Sequence, residues 1–188
     1  MPSRQVCPFH TYEDVVGELI SGPKEWPQYS FTCPLAKGHP GDLAFSWLSS
    51  PEPEGGEPSG LTAELGLAVE LPAALAQFGH RWVEYGVLER AYALARPQDF
   101  ALLVERYGHT AVKAKRYTAS SFLGRALGEL SVRGALAFQY GPATGRWSYN
   151  SKISWWCLPP APEWSPDLSW ASLEEEGVGM DYVPGSTE

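Results

Sequence analysis

The stretch ALAFQYGPATGRWSYNSKISWW (residues 135–156) determines how the second half of the chain folds. Leu136, Phe138 and Tyr140 alternate with smaller or polar residues, and GPATG is a turn sequence. On the returning strand, Trp147, Tyr149, Ile153 and Trp155 fall on one face, and Ser148, Asn150, Lys152 and Ser154 fall on the other. This period of two is typical of a sheet with one buried face, so we predict a β-hairpin.

Helical patterns precede the hairpin. LTAELGLAVELPAALAQFG (61–79) predicts one or two short helices, with Pro72 starting the second. RWVEYGVLERAYALA (81–95) carries an apolar stripe, and PQDFALLVERYG (97–108) predicts a helix that ends at its glycine. TASSFLGRALGELSVRG (118–134) predicts a longer helix that Thr118 caps.

One side of that last helix is made of small residues and one arginine: Ser120, Ser121, Gly124, Arg125 and Gly128. A glycine inside an exposed helix costs about 1 kcal/mol relative to alanine, so two of them require a reason. A helix face made of small side chains can approach a phosphate backbone closely. It equally allows a neighbouring helix to pack closely, and the sequence leaves both interpretations open.

The charge is strongly segregated along the chain. The formal net charge is −8, yet eight basic residues and a single acid, Glu129, lie between Arg106 and Lys152. That segment therefore carries +7, and the rest of the chain carries −15. Such an asymmetry indicates a binding face better than the total charge does, although a solvated basic surface would give the same count.

Residues of roughly 81–158 resemble winged helix-turn-helix DNA-binding domains. YTASSFLGRALGELSVRGAL (117–136) looks like the recognition helix joined to the hairpin, and GPATGRWSYN (141–150) looks like the wing. In that family the helix enters the major groove and the wing contacts the backbone or the minor groove.

The resemblance implies double-stranded DNA as the partner and a role as a regulator or accessory factor of DNA transactions, such as transcription regulation. The implied contact residues, together with the basic connection before the helix, are Lys113, Lys115, Arg116, Ser120, Ser121, Gly124, Arg125, Arg146, Tyr149, Asn150 and Lys152. Many winged helices bind protein instead, so a protein partner is the alternative. Either a monomer or a homodimer fits these patterns.

We predict that the first 50 residues form a separate small unit. HTYEDVVGELISG (10–22) predicts a helix capped by Thr11, and QYSFTC and LAFSWL predict two strands of a β-hairpin. We expect an α+β protein with four parts: the unit 1–50, a linker or exposed loop 51–60, a helical winged-helix domain 61–163, and an acidic, largely flexible tail 164–188.

Two Cys/His pairs stand in the N-terminal unit. Cys7 and His10 form C-x2-H, and Cys33 and His39 form C-x5-H. Zinc takes four nitrogen or sulfur ligands, usually supplied as two close pairs, so these four residues are candidate zinc ligands. Two buried thiols and two surface histidines are the alternative.

Catalytic motifs are scarce. The chain has no G-x-S-x-G, Walker or H-E-x-x-H motif, so we expect a protein that is not an enzyme and keep a metal-dependent enzyme as a minor alternative. No run of about 20 apolar residues indicates a membrane span, and no signal peptide is apparent. An odd cysteine number argues against a disulfide framework. We expect a cytoplasmic protein.

Overall fold

The computed structural model describes residues 3–21, 28–49, 60–109, 118–145 and 151–177. Within these residues the chain forms a mixture of helices and small antiparallel sheets, which is compatible with the predicted α+β class. The strands are β1 (Arg4–Val6), β2 (Asp14–Val16), β3 (Glu18–Ser21), β4 (Gln28–Cys33), β5 (Phe45–Ser49), β6 (Val83–Glu84), β7 (Ala137–Pro142) and β8 (Lys152–Cys157). The helices are α1 (Leu61–Glu64), α2 (Leu67–Ala76), α3 (Tyr85–Ala95), α4 (Pro97–Tyr107), α5 (Ala119–Val132) and α6 (Trp170–Glu175).

The N-terminal strands form two small sheets. Strand β1 pairs with β2, and β3, β4 and β5 form a three-stranded sheet in that order. The predicted strands at QYSFTC and LAFSWL are confirmed as β4 and β5. Between these sheets lies a core of its own, made of Cys7, Val15, Phe31, Cys33, Phe45 and Trp47.

The helix predicted over 10–22 is wrong, because this stretch forms β2 and β3. Two adjacent β-branched residues, Val15 and Val16, suit a strand. Gly17 lies between the two strands, and a Cβ at that position would stand 2.7 Å from the Phe31 ring. Thr11 lies in a turn instead of capping a helix.

The helices after residue 60 largely follow their predicted bounds. Helix α4 begins at Pro97 and is followed by Gly108. The Oγ1 of Thr118 accepts a hydrogen bond from the backbone N–H of Ser121, which confirms Thr118 as the N-cap of α5. The prediction that Pro72 starts a helix is wrong, because α2 begins after Gly66 and Pro72 lies inside it.

The predicted hairpin is confirmed as β7 and β8, which pair in antiparallel register from Ala137↔Cys157 to Pro142↔Lys152. Strand β6 pairs with the other edge of β8, so the sheet order is β6-β8-β7 and β8 is central. The end of β8 is buried on both faces. Trp156 belongs to the main core, and Trp155 packs with Trp82 and Cys157 in a smaller cluster.

Helix α5 joins the two halves of the molecule by packing on β5. The Oγ of Ser131 accepts a hydrogen bond from the Leu48 backbone N–H at 3.3 Å, and Leu48 belongs to the main core. A Cβ on Gly128 would lie 3.0 Å from the Leu48 carbonyl oxygen. At Gly128, the small side of α5 thus packs closely against a strand, whereas the sequence suggested a neighbouring helix as the alternative to DNA.

Within residues 164–177 of the predicted tail, Trp164, Leu168 and Trp170 contact the body, and residues 178–188 lie outside the described residues. Trp170 is buried in the main core at the start of α6, and Leu168 bridges to Val83. Trp164 packs edge-on against Trp82 and Trp155. Among the described residues, no helix has the length and apolar character needed to cross a membrane.

Candidate metal centre

The side chains of Cys7, His10, Cys33 and His39 meet in the N-terminal unit. All four are buried, and their ligand atoms lie within 4.8 Å of one another. The predicted ligand set is thus confirmed as a cluster that is compatible with a metal ion. The alternative of two surface histidines is wrong, because His10 and His39 are 8% and 5% exposed.

Two turns bring the four residues together. The first turn holds Cys7 and His10 and is closed by two backbone bonds, from Cys7 N–H to the Glu13 carbonyl and from Glu13 N–H to the His10 carbonyl. Cys33 is the last residue of β4, and His39 lies in the connection from β4 to β5. Each turn contributes one sulfur and one nitrogen, so the cluster ties β1–β2 to the β4–β5 hairpin.

Three of the distances between ligand atoms are close to those of a tetrahedral site. The Cys7 Sγ lies 3.8 Å from His10 Nδ1 and 3.3 Å from His39 Nε2, and the Cys33 Sγ lies 3.6 Å from His10 Nδ1. With Zn–S of about 2.3 Å and Zn–N of about 2.0–2.1 Å, a sulfur and a nitrogen on one tetrahedral zinc stand about 3.6 Å apart. The three measured distances scatter around that value.

The outward ring nitrogens of both histidines contact backbone carbonyls. His10 Nε2 lies 2.8 Å from the Lys37 oxygen, and His39 Nδ1 lies 2.9 Å from the Leu43 oxygen. A carbonyl only accepts, so each outward nitrogen carries the proton and donates it. In the neutral form of each ring, the lone pair of the inward nitrogen then faces the cluster, as a metal ligand requires.

Gly38 makes room for this arrangement. Its φ of 96° lies in the left-handed region that favours glycine, and a Cβ there would lie 3.2 Å from His10 Nε2. Its backbone N–H donates to the Asp42 carboxylate at 3.0 Å, which helps to fix the turn. The turn therefore orients the Lys37 carbonyl toward the His10 ring.

Burial raises the pKa of the Cys33 thiol above its ordinary value, and the neighbouring Cys7 adds to the rise. A hydrogen bond from the Leu35 backbone acts in the opposite direction and does not offset it. The raised pKa favours the neutral form of the Cys33 thiol in the absence of a cation. A bound metal ion reverses this preference, because it deprotonates the thiols that coordinate it.

A second polar cluster surrounds two buried glutamates near the start of α3. Glu84 accepts hydrogen bonds from the Thr144 backbone and hydroxyl and from the Trp170 N–H, at 2.8, 2.6 and 2.7 Å. Glu89 is bonded to His109 Nε2 at 2.8 Å and accepts from the hydroxyls of Tyr85 and Ser120 at 2.7 and 2.6 Å.

Glu89 and His109 form a buried pair, each with 5% of its side chain exposed. Burial by itself raises the pKa of Glu89, but the hydrogen bond and charge of His109, together with the Ser120 and Tyr85 hydroxyls, hold it below its ordinary value. The carboxylate is therefore the favoured form in the folded protein. No local sequence pattern signals this pair, because its partners lie 20 positions apart.

The predicted DNA-contacting residues fall into two groups. Lys113, Lys115, Arg116, Arg146, Tyr149 and Asn150 lie outside the described residues. The described members are Ser120 and Ser121, which are half-buried, Gly124, which is buried, Arg125, which lies 3.4 Å from the Glu129 carboxylate, and Lys152, which is exposed.

Comparison with known proteins adds no assignment, since no protein-family model, no curated protein and no solved structure gives a significant match to the chain.

Proposed function

We propose that Cys7, His10, Cys33 and His39 bind one zinc ion as a structural centre of the N-terminal unit. The observation that carries this proposal is the set of sulfur–nitrogen distances of 3.3–3.8 Å inside a buried cluster. Four protein ligands would fill a tetrahedral zinc and leave no position for water or substrate, which is the pattern of structural and not catalytic sites.

The N-terminal unit has reason to use such a centre. Among its described residues, the apolar core holds six buried side chains, and two of them are the cysteines of the cluster. Small units with little apolar core gain much of their stability from a metal or from disulfides, and all three cysteines are free thiols.

Elemental analysis of the purified protein tests the proposal. We expect about one zinc per chain in the wild type and none in Cys33→Ser. Cys157→Ser is the matched control, since Cys157 is also a buried thiol but lies in the Trp82–Trp155 cluster. A wild type without zinc, or equal zinc loss in both variants, contradicts the proposal.

We further propose that the protein binds double-stranded DNA through its basic segment 106–152, as a regulator or accessory factor. Two observations support this function. The segment carries a net +7 in an acidic chain. The helices and the β6-β8-β7 sheet also follow the order helix, strand, helices, hairpin, which resembles a winged helix.

In this proposal the Gly128 end of the small side of α5 contributes little, because it is packed on β5. Lysines and arginines would contact phosphates. This electrostatic attraction does not depend on the DNA sequence, dominates the affinity, and weakens as the salt concentration rises. For 4–6 contacted phosphates, the plot of log K against log salt should have a slope of about −4 to −5. A protein partner for the same basic segment is the competing function.

Titrations with a mixed-sequence duplex at several salt concentrations test the DNA proposal. We expect Arg146→Ala to lower affinity about equally for all sequences and to flatten the slope by about 1. Arg125→Ala is the comparison, since the Arg125 guanidinium already lies near Glu129 and should matter less. Absence of binding by the wild type at low salt would favour the protein partner.

A further inference from the structure

Gln5 lies on the strand that leads into the metal cluster. Along β1 and the residue after it, Arg4 and Val6 are exposed, Gln5 is half-buried and Cys7 is buried. Side chains two positions apart in an extended strand lie on the same face, so Gln5 and Cys7 are directed to the same side. Across the sheet, Gln5 pairs with the buried Val15, and this face is therefore the inner one.

The amide of Gln5 bonds two residues of β5. Its Oε1 accepts a hydrogen bond from the Trp47 indole N–H at 2.9 Å, and its Nε2 donates to the Ser49 Oγ at 2.8 Å. Trp47 is only 1% exposed, so the first bond satisfies a donor that burial keeps from water. We name these two hydrogen bonds the Gln5 clasp.

The Gln5 clasp connects the two halves of the metal cluster. One half, Cys7 with His10, follows β1, and the other half, Cys33 with His39, belongs to β4 and its connection to β5. Strands β1 and β2 form one sheet, and β3, β4 and β5 form another. Because the clasp runs from β1 to the strand that pairs with β4, it fixes one half relative to the other.

The chain connection between the two sheets lies away from the metal cluster. Gly17 links β2 to β3, and its N–H donates to the Ser3 carbonyl at 2.8 Å, beside the start of β1. The turn that holds Cys7 and His10 is at the other end of the same two strands. Gln5, in the middle of β1, therefore restrains the sheet closer to the ligands than the connection does.

Two of the short sulfur–nitrogen distances run between the halves. The Cys7 Sγ lies 3.3 Å from His39 Nε2, and the Cys33 Sγ lies 3.6 Å from His10 Nδ1. A ligand that must bring separate groups together binds more weakly than one that finds them already in place. Holding the halves at this distance before the metal arrives thus raises the affinity for the metal.

We propose that Gln5 is a positioning residue of the zinc centre, which holds the Cys7–His10 half at binding distance from the Cys33–His39 half without being a ligand. The inference rests on the proposed zinc binding. It adds that the affinity for zinc depends on an amide in β1 and on a hydroxyl in β5, neither of which belongs to the Cys/His pattern.

Three substitutions change the Gln5 clasp and keep all four ligands. Gln5→Leu removes both hydrogen bonds with a side chain of similar size, and Ser49→Ala removes one partner. Gln5→Glu is the conservative variant, because its carboxylate can accept from both the indole N–H and the Ser49 hydroxyl. Gln77→Leu is the matched control, since the Gln77 Nε2 also donates a hydrogen bond, to the Ala74 carbonyl at 2.7 Å, but at the end of α2.

Competition with a chelator measures the zinc affinity of each full-length variant. Gln5→Leu should bind zinc about 5- to 25-fold more weakly than the wild type, the effect of one or two ordinary hydrogen bonds, and Ser49→Ala about fivefold more weakly. Gln5→Glu and Gln77→Leu should bind as the wild type does. Adding Ser49→Ala to Gln5→Leu should have little further effect, because both act on the same hydrogen bond.

Cobalt in place of zinc separates positioning from a loss of stability. The absorption of a bound cobalt ion reports the geometry of its ligands. With every site filled, the spectrum should change in Gln5→Leu and Ser49→Ala but not in Val15→Ala, which weakens the packing of the same sheet and leaves the clasp intact. Ser49→Ala, the milder change, keeps the test decisive if Gln5→Leu fails to fold.

The outcomes distinguish the inference from the proposed zinc binding. Wild-type zinc affinity in Gln5→Leu and Ser49→Ala would overturn the inference. Equal weakening in these variants and in Val15→Ala, with unchanged cobalt spectra, would show a loss of stability alone and would overturn it as well. A wild type that binds neither zinc nor cobalt would overturn the proposed function itself.

Discussion

Gly128 of α5 lies against the backbone of Leu48 in β5, so closely that a Cβ would stand 3.0 Å from the Leu48 carbonyl oxygen. This contact joins the N-terminal unit to the helical body. We expect Gly128→Ala to destabilise the protein by roughly 1–3 kcal/mol, because a backbone carbonyl cannot move aside as a flexible side chain can. Chemical denaturation measures the change.

Gly124 is the matched control, one turn earlier on the same side of α5. A Cβ there would meet no atom within 4 Å, since a groove of about 200 Å³ lies beside it. Gly124→Ala should therefore stabilise the protein by up to about 1 kcal/mol through helix propensity. Equal effects of the two alanines would contradict the packing of α5 on β5.

The buried Glu89–His109 pair predicts a pH dependence of stability. The pKa of Glu89 is lowered in the folded protein, so ionised Glu89 stabilises the fold. This contribution to the free energy of unfolding is fully present above the pKa of about 4.3 in the unfolded chain. It disappears as the pH falls through the lower pKa of the folded protein. At pH 7, Glu89→Gln should lower the free energy of unfolding by about 1–3 kcal/mol.

The difference in the free energy of unfolding between wild type and Glu89→Gln should become smaller when the pH falls below about 4, near the ordinary pKa of a glutamate. Comparing the two proteins at each pH removes effects that both share, including any loss of metal in acid. A difference that stays constant down to acid pH would contradict an ionised Glu89.

Removing the buried hydroxyl of Tyr92 should stabilise the protein. Its side chain is fully buried, and its hydroxyl has no hydrogen-bond partner among the described residues. Burial, with a smaller effect of Asp99, raises the pKa of this phenol to about 12. Tyr92→Phe removes the unsatisfied group and should raise stability by about 1 kcal/mol in thermal unfolding, whereas a clear decrease would show that the hydroxyl is bonded.

The sequence predicted correctly those helices and strands that are determined by residues close together in the chain. Helices α4 and α5, strands β4 and β5 and the β7–β8 hairpin were accessible because capping, turn residues and periodicity lie within each segment. The Cys/His cluster was accessible because each turn carries its own pair. These are the parts of the fold and of the site that neighbouring residues determine.

The remaining features depend on distant partners. The helix predicted over 10–22 failed because Gly17 faces Phe31 and because the turn at Cys7–Glu13 reverses the chain. The packing partner of Gly128 was not apparent from local patterns, since its partner strand lies about 80 residues earlier, as the Leu48–Ser131 bond shows. Strand β6 has only two residues and no pattern of its own.

X-ray absorption at the zinc edge of the purified wild type tests the proposed zinc centre most directly. We predict about one zinc per chain, with two sulfur neighbours at about 2.3 Å and two nitrogen neighbours at about 2.0–2.1 Å. His39→Gln should lose one nitrogen neighbour or the metal itself, whereas His80→Gln, at an exposed histidine outside the cluster, should leave the spectrum unchanged. Protein purified without chelator that contains no zinc, or zinc surrounded by oxygen and nitrogen only, would contradict a zinc centre at these four residues.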